Sequence, residues 1–249
     1  VTPDSFSDGG KFDQIDAALK HVEEMIGDGA DVIDIGGEST RPWGYTKISD
    51  EEETGRVVPV IEAVKKEFGI PISVDTYKSG VAEAAAQAGA DLINDIWGLK
   101  YDPHMSEVIA KSGLACCLMH NRDNTEYRNF MEDMKQDLRE TIALAKAAGI
   151  ADDKIILDPG VGFAKSYENN LEVIRRLKEF NELKYPVLLG TSRKSVIGLT
   201  LDLPAAERVE GTIVTTVMAV EAGCMFVRVH DVKENHRAIQ MAEAILDRK

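Results

Sequence analysis

Short, almost unbroken apolar runs alternate along this chain with longer stretches in which apolar residues return every three or four positions. The short runs are residues 31–36 (DVIDIG), 71–75 (PISVD), 90–94 (ADLIN), 114–119 (LACCLM), 154–158 (KIILD), 186–190 (PVLLG) and 225–229 (MFVRV). Each is rich in Val, Ile or Leu, the pattern of a parallel strand covered on both faces. Between them, helices are predicted over residues 11–28, 51–68, 79–88, 127–148, 168–180, 211–222 and 231–247, with a shorter one near 103–111. Gly29, Gly89, Gly113, Gly149 and Gly223 stand just past helix ends, where the left-handed conformation closes the last turn. The opening residues read as the end of a first strand, truncated because the chain begins at Val1, which completes eight strand–helix units. At 249 residues, that is about 31 per unit, and the whole matches the size of a (β/α)8 barrel. An open doubly wound sheet would show a Gly-x-Gly-x-x-Gly turn or a composition break, and neither is present. Without a linker or low-complexity tract, the expectation is one barrel domain over residues 1–249.

Composition narrows the partners. Lys and Arg number 29 against 43 Asp and Glu, a formal charge of −14. Such a surface repels nucleic-acid phosphates and anionic membranes, although a local group of cations can still serve a small anion in one cleft. The three cysteines, Cys116, Cys117 and Cys224, form no Cys-x-x-Cys and suit a reducing compartment. No signal peptide and no apolar run of roughly 20 residues is found, so the cytoplasm is expected.

A barrel keeps its chemistry at the C-terminal ends of its strands, and the polar residues of this chain collect there. Asp34 and Glu38 lie at and beyond the strand at 31–36, and Asp75, Asn94, Asp95 and Asp158 end the next ones. His120 follows 114–119, Ser192, Arg193 and Lys194 follow 186–190, and Arg228 and His230 end the last. Residues two apart in a strand share a face, so Arg228 pairs with His230 while Val227 and Val229 face away. Asp75, Asn94, Asp158, Arg228 and His230 are expected to point into the barrel mouth. A carboxylate among apolar strand residues is costly without a partner, and several at equivalent strand ends describe a ligand site better than a buried salt-bridge network. Carboxylates with an Asn amide suit a flat heterocycle bearing ring N–H and amino groups. Arg41, Lys194, Arg228 and His230 suit a phosphate-like anion. Residues 160–166 (GVGFAKS) fail as a P-loop, since Ala164 stands where Gly must precede Lys and position 159 is Pro. His21, His104 and His236 read as surface residues, Cys116 and Cys117 as core thiols, and His120 as either a site residue or an organiser of its loop.

Eight segments then carry a resemblance. VTPDSFSDGG (1–10), DIGGESTRP (34–42), PISVDTYKS (71–79), INDIWG (93–98), LMHNR (118–122), IILDPGVGFAK (155–165), PVLLGTSRKS (186–195) and RVHDV (228–232) resemble, in order, the bacterial dihydropteroate synthases. That family is a (β/α)8 barrel, in agreement with the unit count. The resemblance implies attack by the amine of p-aminobenzoate on the methylene of 6-hydroxymethyl-7,8-dihydropterin pyrophosphate, releasing pyrophosphate and 7,8-dihydropteroate. It implies that Asp75, Asn94 and Asp158 bind the pterin, with Lys194 and Arg228. Ser39, Thr40, Arg41, Arg228 and His230 would bind the pyrophosphate, and Phe6, Pro42, Phe163, Gly190, Ser192 and Lys194 the p-aminobenzoate. Asp8, Asp75, Lys194 and Arg228 make the implied catalytic set, with Phe6 and Asp8 on a first loop that closes over the site.

The resemblance also implies Mg²⁺ and a homodimer built on late helices. The family's metal-ligating Asn falls just before Val1, outside this sequence. Where the family reads Arg-Pro-Gly, this chain has Arg41-Pro42-Trp43-Gly44, which loosens the placement of Arg41 and puts Trp43 on the second loop. A dihydropterin can stabilise positive charge on its methylene as the C–O bond breaks, and the neutral aniline nitrogen needs no strong base, so a dissociative route is expected. A pterin-dependent methyltransferase has no use for the SRK and RVH clusters, and a non-catalytic pterin sensor has none for the full polar set.

Overall fold

The computed structural model describes residues 11–39 and 47–247, residues 11–14 by backbone alone. The predicted opening strand, Phe6, Asp8, Thr40, Arg41, Pro42 and Trp43 lie outside the described residues. The chain divides into two compact units, Val1–Leu118 with Thr141–Ile155 and Met119–Glu140 with Ile156–Lys249.

In the first unit β1 (Ile33–Gly36), β2 (Ile72–Asp75), β3 (Leu92–Asp95) and β4 (Ala115–Met119) pair in parallel, with Ile35 opposite Val74, Val74 opposite Ile93, and Ile93 opposite Cys116. These residues are buried, as an interior parallel strand requires. The helix α1 (Lys11–Gly27) precedes β1, and α2 (Asp50–Glu67), α3 (Ser79–Ala88) and α4 (Met105–Ser112) follow β1, β2 and β3. Ser49 caps α2 by accepting from the Glu52 N–H at 3.2 Å, ahead of four acidic residues in the first turn, and Lys65 and Lys66 occupy the last. Both charge clusters complement the helix dipole. Val57, Ile61 and Val64 form the buried stripe of α2. The predicted closures hold: Gly89 and Gly113 end α3 and α4 at φ of +104° and +68°.

In the second unit β5 (Ile155–Asp158), β6 (Leu188–Leu189) and β7 (Phe226–Val227) run parallel, Leu157 bridging to Val187 and Leu189 lying opposite Val227. The last two strands are shorter than the predicted 186–190 and 225–229. Val187 O accepts from both Met225 N and Phe226 N, so the ladder starts irregularly, and Gly190 and Arg228 lie past its end. The helix predicted over 127–148 is α5 (Phe130–Ala147), which starts late because the Asp133 carboxylate takes the Arg128 N–H at 2.7 Å. The helix predicted over 168–180 is α6 (Tyr167–Arg175) followed by a 3₁₀ run, Leu177–Leu183. Leu177, Phe180 and Leu183 are buried at a three-residue interval, the period of that tighter winding. A helix absent from the sequence reading, α7 (Ser195–Leu201), is too short to display a period, and α8 (Val209–Ala222) and α9 (Val232–Ile245) complete the unit. Among the described residues no helix is long and apolar enough to cross a membrane.

Candidate active site

The predicted residues divide between the units. In the first, Asp75 ends β2 and lies in register with Asn94, the last residue but one of β3. Asn94 Nδ2 donates to Asp75 Oδ1 at 2.9 Å. That orients the amide and leaves Asn94 Oδ1 buried without a partner among the described residues. An orphaned buried acceptor is costly, and this one is left able to accept an N–H. Asp95 points elsewhere: it accepts from the N–H groups of Trp97 at 2.8 Å and Leu99 at 2.7 Å, and burial raises its carboxyl to about 6. It shapes the turn after β3.

Ser39 is half-buried beside Glu38, which is wholly enclosed. Glu38 accepts from Tyr77 OH at 2.6 Å, Lys78 Nζ at 2.8 Å and the Ile48 N–H at 3.0 Å. Lys78 Nζ also reaches Glu53 at 2.6 Å and the Ile48 carbonyl at 2.8 Å. Burial alone would raise the Glu38 carboxyl, but the hydrogen bonds from Lys78, Tyr77 and Ile48 outweigh it and hold it below its ordinary value. Both ends of the connection carrying Ser39 are therefore tied to one buried ion cluster, and nothing in the local sequence marks Lys78 or Glu53 as its members.

In the second unit Asp158 is buried, with Oδ1 accepting from the Gly160 N–H at 2.7 Å. Gly190 lies where side chains converge: a Cβ there would stand 3.8 Å from Asp158 Oδ2, 3.8 Å from Lys194 Nζ and 3.9 Å from Arg228 Cβ. Lys194 Nζ donates to the Val161 carbonyl at 2.6 Å and stands 5.0 Å over the Phe163 ring. Ser192 Oγ accepts from the His230 N–H at 3.1 Å and meets His230 Nδ1 at 2.9 Å. The hydroxyl has a proton and a second lone pair to offer, so it pairs with Nδ1 as donor or acceptor according to the imidazole tautomer. Between Ser192 and Lys194, Arg193 takes φ of +58°, and its guanidinium forks onto both Asp231 oxygens, at 3.1 and 2.5 Å. That bidentate grip holds a conformation that only Gly adopts freely.

His120 resolves as the organiser of a loop. It is fully buried, with Nε2 2.9 Å from Asp137 Oδ2 and Nδ1 3.0 Å from Lys165 Nζ. Lys165 carries no signal in the sequence beyond its place after GFA. Cys116 and Cys117 are buried core residues as expected. Among the described residues no group of three or more His, Cys, Asp or Glu is arranged to hold a metal ion.

Parallel strands alternating with helices, with polar residues gathered at the strand ends, define a (β/α)8-barrel enzyme. Residues 1–230 match the family described as pterin binding enzyme. The chain is 62% identical over 248 residues to the dihydropteroate synthase of Clostridium beijerinckii, covering 99% of this chain and 92% of that protein. It superposes on the Clostridium difficile dihydropteroate synthase solved in the presence of pteroic acid with a TM-score of 0.96 and 52% identity, covering 100% of this chain and 94% of that one. The Xanthomonas albilineans dihydropteroate synthase with 4-aminobenzoic acid gives 0.93 at 40% identity, covering 99% and 90%. The chain belongs to the dihydropteroate synthases, the pterin-binding (β/α)8-barrel transferases of folate biosynthesis.

Proposed function

We infer that the two residue sets serve one condensation. The enzyme joins 6-hydroxymethyl-7,8-dihydropterin pyrophosphate to p-aminobenzoate, giving 7,8-dihydropteroate and pyrophosphate. The pterin methylene–oxygen bond breaks, its electrons leave with pyrophosphate, the aniline nitrogen bonds to the methylene carbon, and one N–H proton is released. Asp75, Asn94 and Asp158 accept from the ring and amino hydrogens of the pterin. Lys194 and Arg228 border the ring and, as fixed cations, favour departure of the anionic leaving group. His230 joins Arg228 on the pyrophosphate together with Ser39, Thr40 and Arg41. Phe163, Gly190, Ser192 and Lys194 bound the p-aminobenzoate with Phe6 and Pro42, and Asp8 with Phe6 closes the site against water that would trap the electron-poor carbon. Mg²⁺ would neutralise the departing pyrophosphate, with the family's metal-ligating Asn placed just before Val1.

The observation that carries the reading is the gap at Gly190, bordered by an Asp158 oxygen, the Lys194 ammonium and the first side-chain carbon of Arg228: an acceptor, a cation and the base of a second cationic side chain around a position kept free of a side chain. The three free cysteines accord with a reducing cytoplasm. Leu199, Val214, Met241 and Ile245 are 59–70% exposed on α7, α8 and α9, which supports a second copy of the chain as their cover. Pyrophosphate release measured with and without p-aminobenzoate, with the product identified by mass, tests the reaction. Release without incorporation of p-aminobenzoate would sink it. A monomeric mass in solution would sink the dimer.

A further inference from the structure

We propose that Lys165 is a positioning residue: its side chain fixes the loop of residues 159–166 and so preforms the face of the site that receives p-aminobenzoate. The inference rests on the reading that Phe163 and Lys194 border that substrate. Lys165 Nζ lies 2.9 Å from Gly160 O, 2.9 Å from Phe163 O and 3.0 Å from His120 Nδ1. Three acceptors match the three N–H bonds of an ammonium group. The two carbonyls belong to one turn, closed by Phe163 N–H to Gly160 O at 3.1 Å, so one amine holds the turn that presents the Phe163 ring.

The third acceptor is built from outside the loop. For His120 Nδ1 to accept, the ring proton must sit on Nε2, and Asp137 Oδ2 takes it at 2.9 Å. Asp137 Oδ2 also accepts from Arg122 Nε at 2.6 Å. The Arg122 guanidinium stacks 4.4 Å from the Tyr127 ring centre, and Tyr127 OH donates to Ala164 O at 2.8 Å. The carbonyls of Gly160, Phe163 and Ala164 are thus all held by Lys165 and by a network of residues between His120 and Asp137. Burial pushes Lys165 down to about 7 and His120 to about 4, as expected of groups sheltered from water.

The loop would not take this shape by itself. Gly160 sits at φ of +69°, where a Cβ would stand 2.1 Å from His120 O, and Ala164 takes φ of +49°, a conformation alanine disfavours. Partners impose the shape, and the shape delivers the Val161 carbonyl to Lys194 and the Phe163 ring beneath its amine. Asn170 anchors Gly162 independently, its Oδ1 accepting at 2.6 Å, so the loop keeps one tether when Lys165 is lost.

The test is steady-state kinetics on Lys165→Met beside the wild type. We expect the KM for p-aminobenzoate to rise roughly tenfold, with kcat and the KM for the pterin substrate changed by less than about twofold. A second pair decides even if Lys165→Met fails to fold. His120→Asn places an amide oxygen near the Nδ1 position and keeps the acceptor for Lys165, whereas His120→Gln keeps a donor to Asp137 and loses that acceptor. The Asn variant should hold a near-wild-type KM for p-aminobenzoate, and the Gln variant should match Lys165→Met. An unchanged KM in Lys165→Met, equal values in the two His120 variants, or equal losses for both substrates would overturn the inference. A wild type that forms no dihydropteroate would instead overturn the reaction on which it rests.

Discussion

Replacing Gly190 by alanine separates the stability of the second unit from occupancy of its cleft. The added methyl carbon would lie 3.8–3.9 Å from Asp158 Oδ2, Lys194 Nζ and Arg228 Cβ, ordinary van der Waals distances. Gly190 is also not among the glycines with positive φ, so alanine fits its backbone without strain. The unfolded chain loses freedom worth about 0.4–1 kcal/mol, which for a chain of this size raises Tm by roughly 1–4 °C. The substrates meet the opposite effect. A ring seated among Asp158, Lys194 and Arg228 needs the volume that the methyl takes, and overpacking costs about 1–3 kcal/mol. In kcat/KM that is a fall of roughly five- to 150-fold. Calorimetry gives the Tm, and initial rates of pyrophosphate release at varied pterin and p-aminobenzoate give the kinetics. A variant with unaltered Tm and kcat/KM within about twofold of wild type would show that no substrate atom approaches Gly190, and the placement of the cleft would fall with it. Loss of Tm together with activity would refute the packing argument, since the methyl should displace nothing in the free protein.

Two further outcomes follow from the same geometry. Asp158→Asn keeps the shape, but one oxygen must still meet the Gly160 N–H, so the new amide turns a donor toward the pterin's own donors. Calorimetric titration with a phosphate-free pterin in EDTA should show affinity weaker by about 1–3 kcal/mol, and unchanged affinity would remove Asp158 from pterin recognition. His120 is held neutral chiefly by burial, aided by Lys165 and opposed by Asp137, so its folded value of about 4 lies below the ordinary 6.5. Between those values the unfolded chain binds the extra proton and the folded one does not, so the His120 contribution to unfolding free energy should fall by at most about 3 kcal/mol as pH drops from 6.5 to 4. Asp95, raised to about 6 by burial, contributes the opposite slope over this range in both proteins. Urea titrations should therefore show wild type losing more stability than His120→Asn as pH falls, and parallel slopes would refute the assignment.

The alternation of strands and helices was legible because a strand buried on both faces must be apolar at nearly every position, while a helix covering it is apolar on one side only. The polar residues ending those strands stood out for the same reason, since Asp75, Asn94 and Asp158 interrupt runs that otherwise admit no polar group. Helix ends marked by Gly89, Gly113 and Gly223 were readable because the left-handed closure is a one-residue requirement. Boundaries set by distant partners were not. The late start of α5 depends on where Asp133 turns its carboxylate, and the change from α6 to 3₁₀ winding depends on which side of residues 177–183 meets the core.

By itself, then, the sequence determined the repeat, the ends at which chemistry gathers and the types of residue placed there, because each follows from burial and local backbone preference. Tertiary structure alone decided which charged groups became internal. Lys165 carries no mark of enclosure in the sequence until His120, 45 residues away, supplies the third acceptor that makes enclosing an amine tolerable. Lys78 reads the same way until Glu38 and Glu53, 40 and 25 residues away, enclose it. A buried charge is settled by the partners that compensate its lost hydration, and those partners come from segments whose proximity only the folded chain creates.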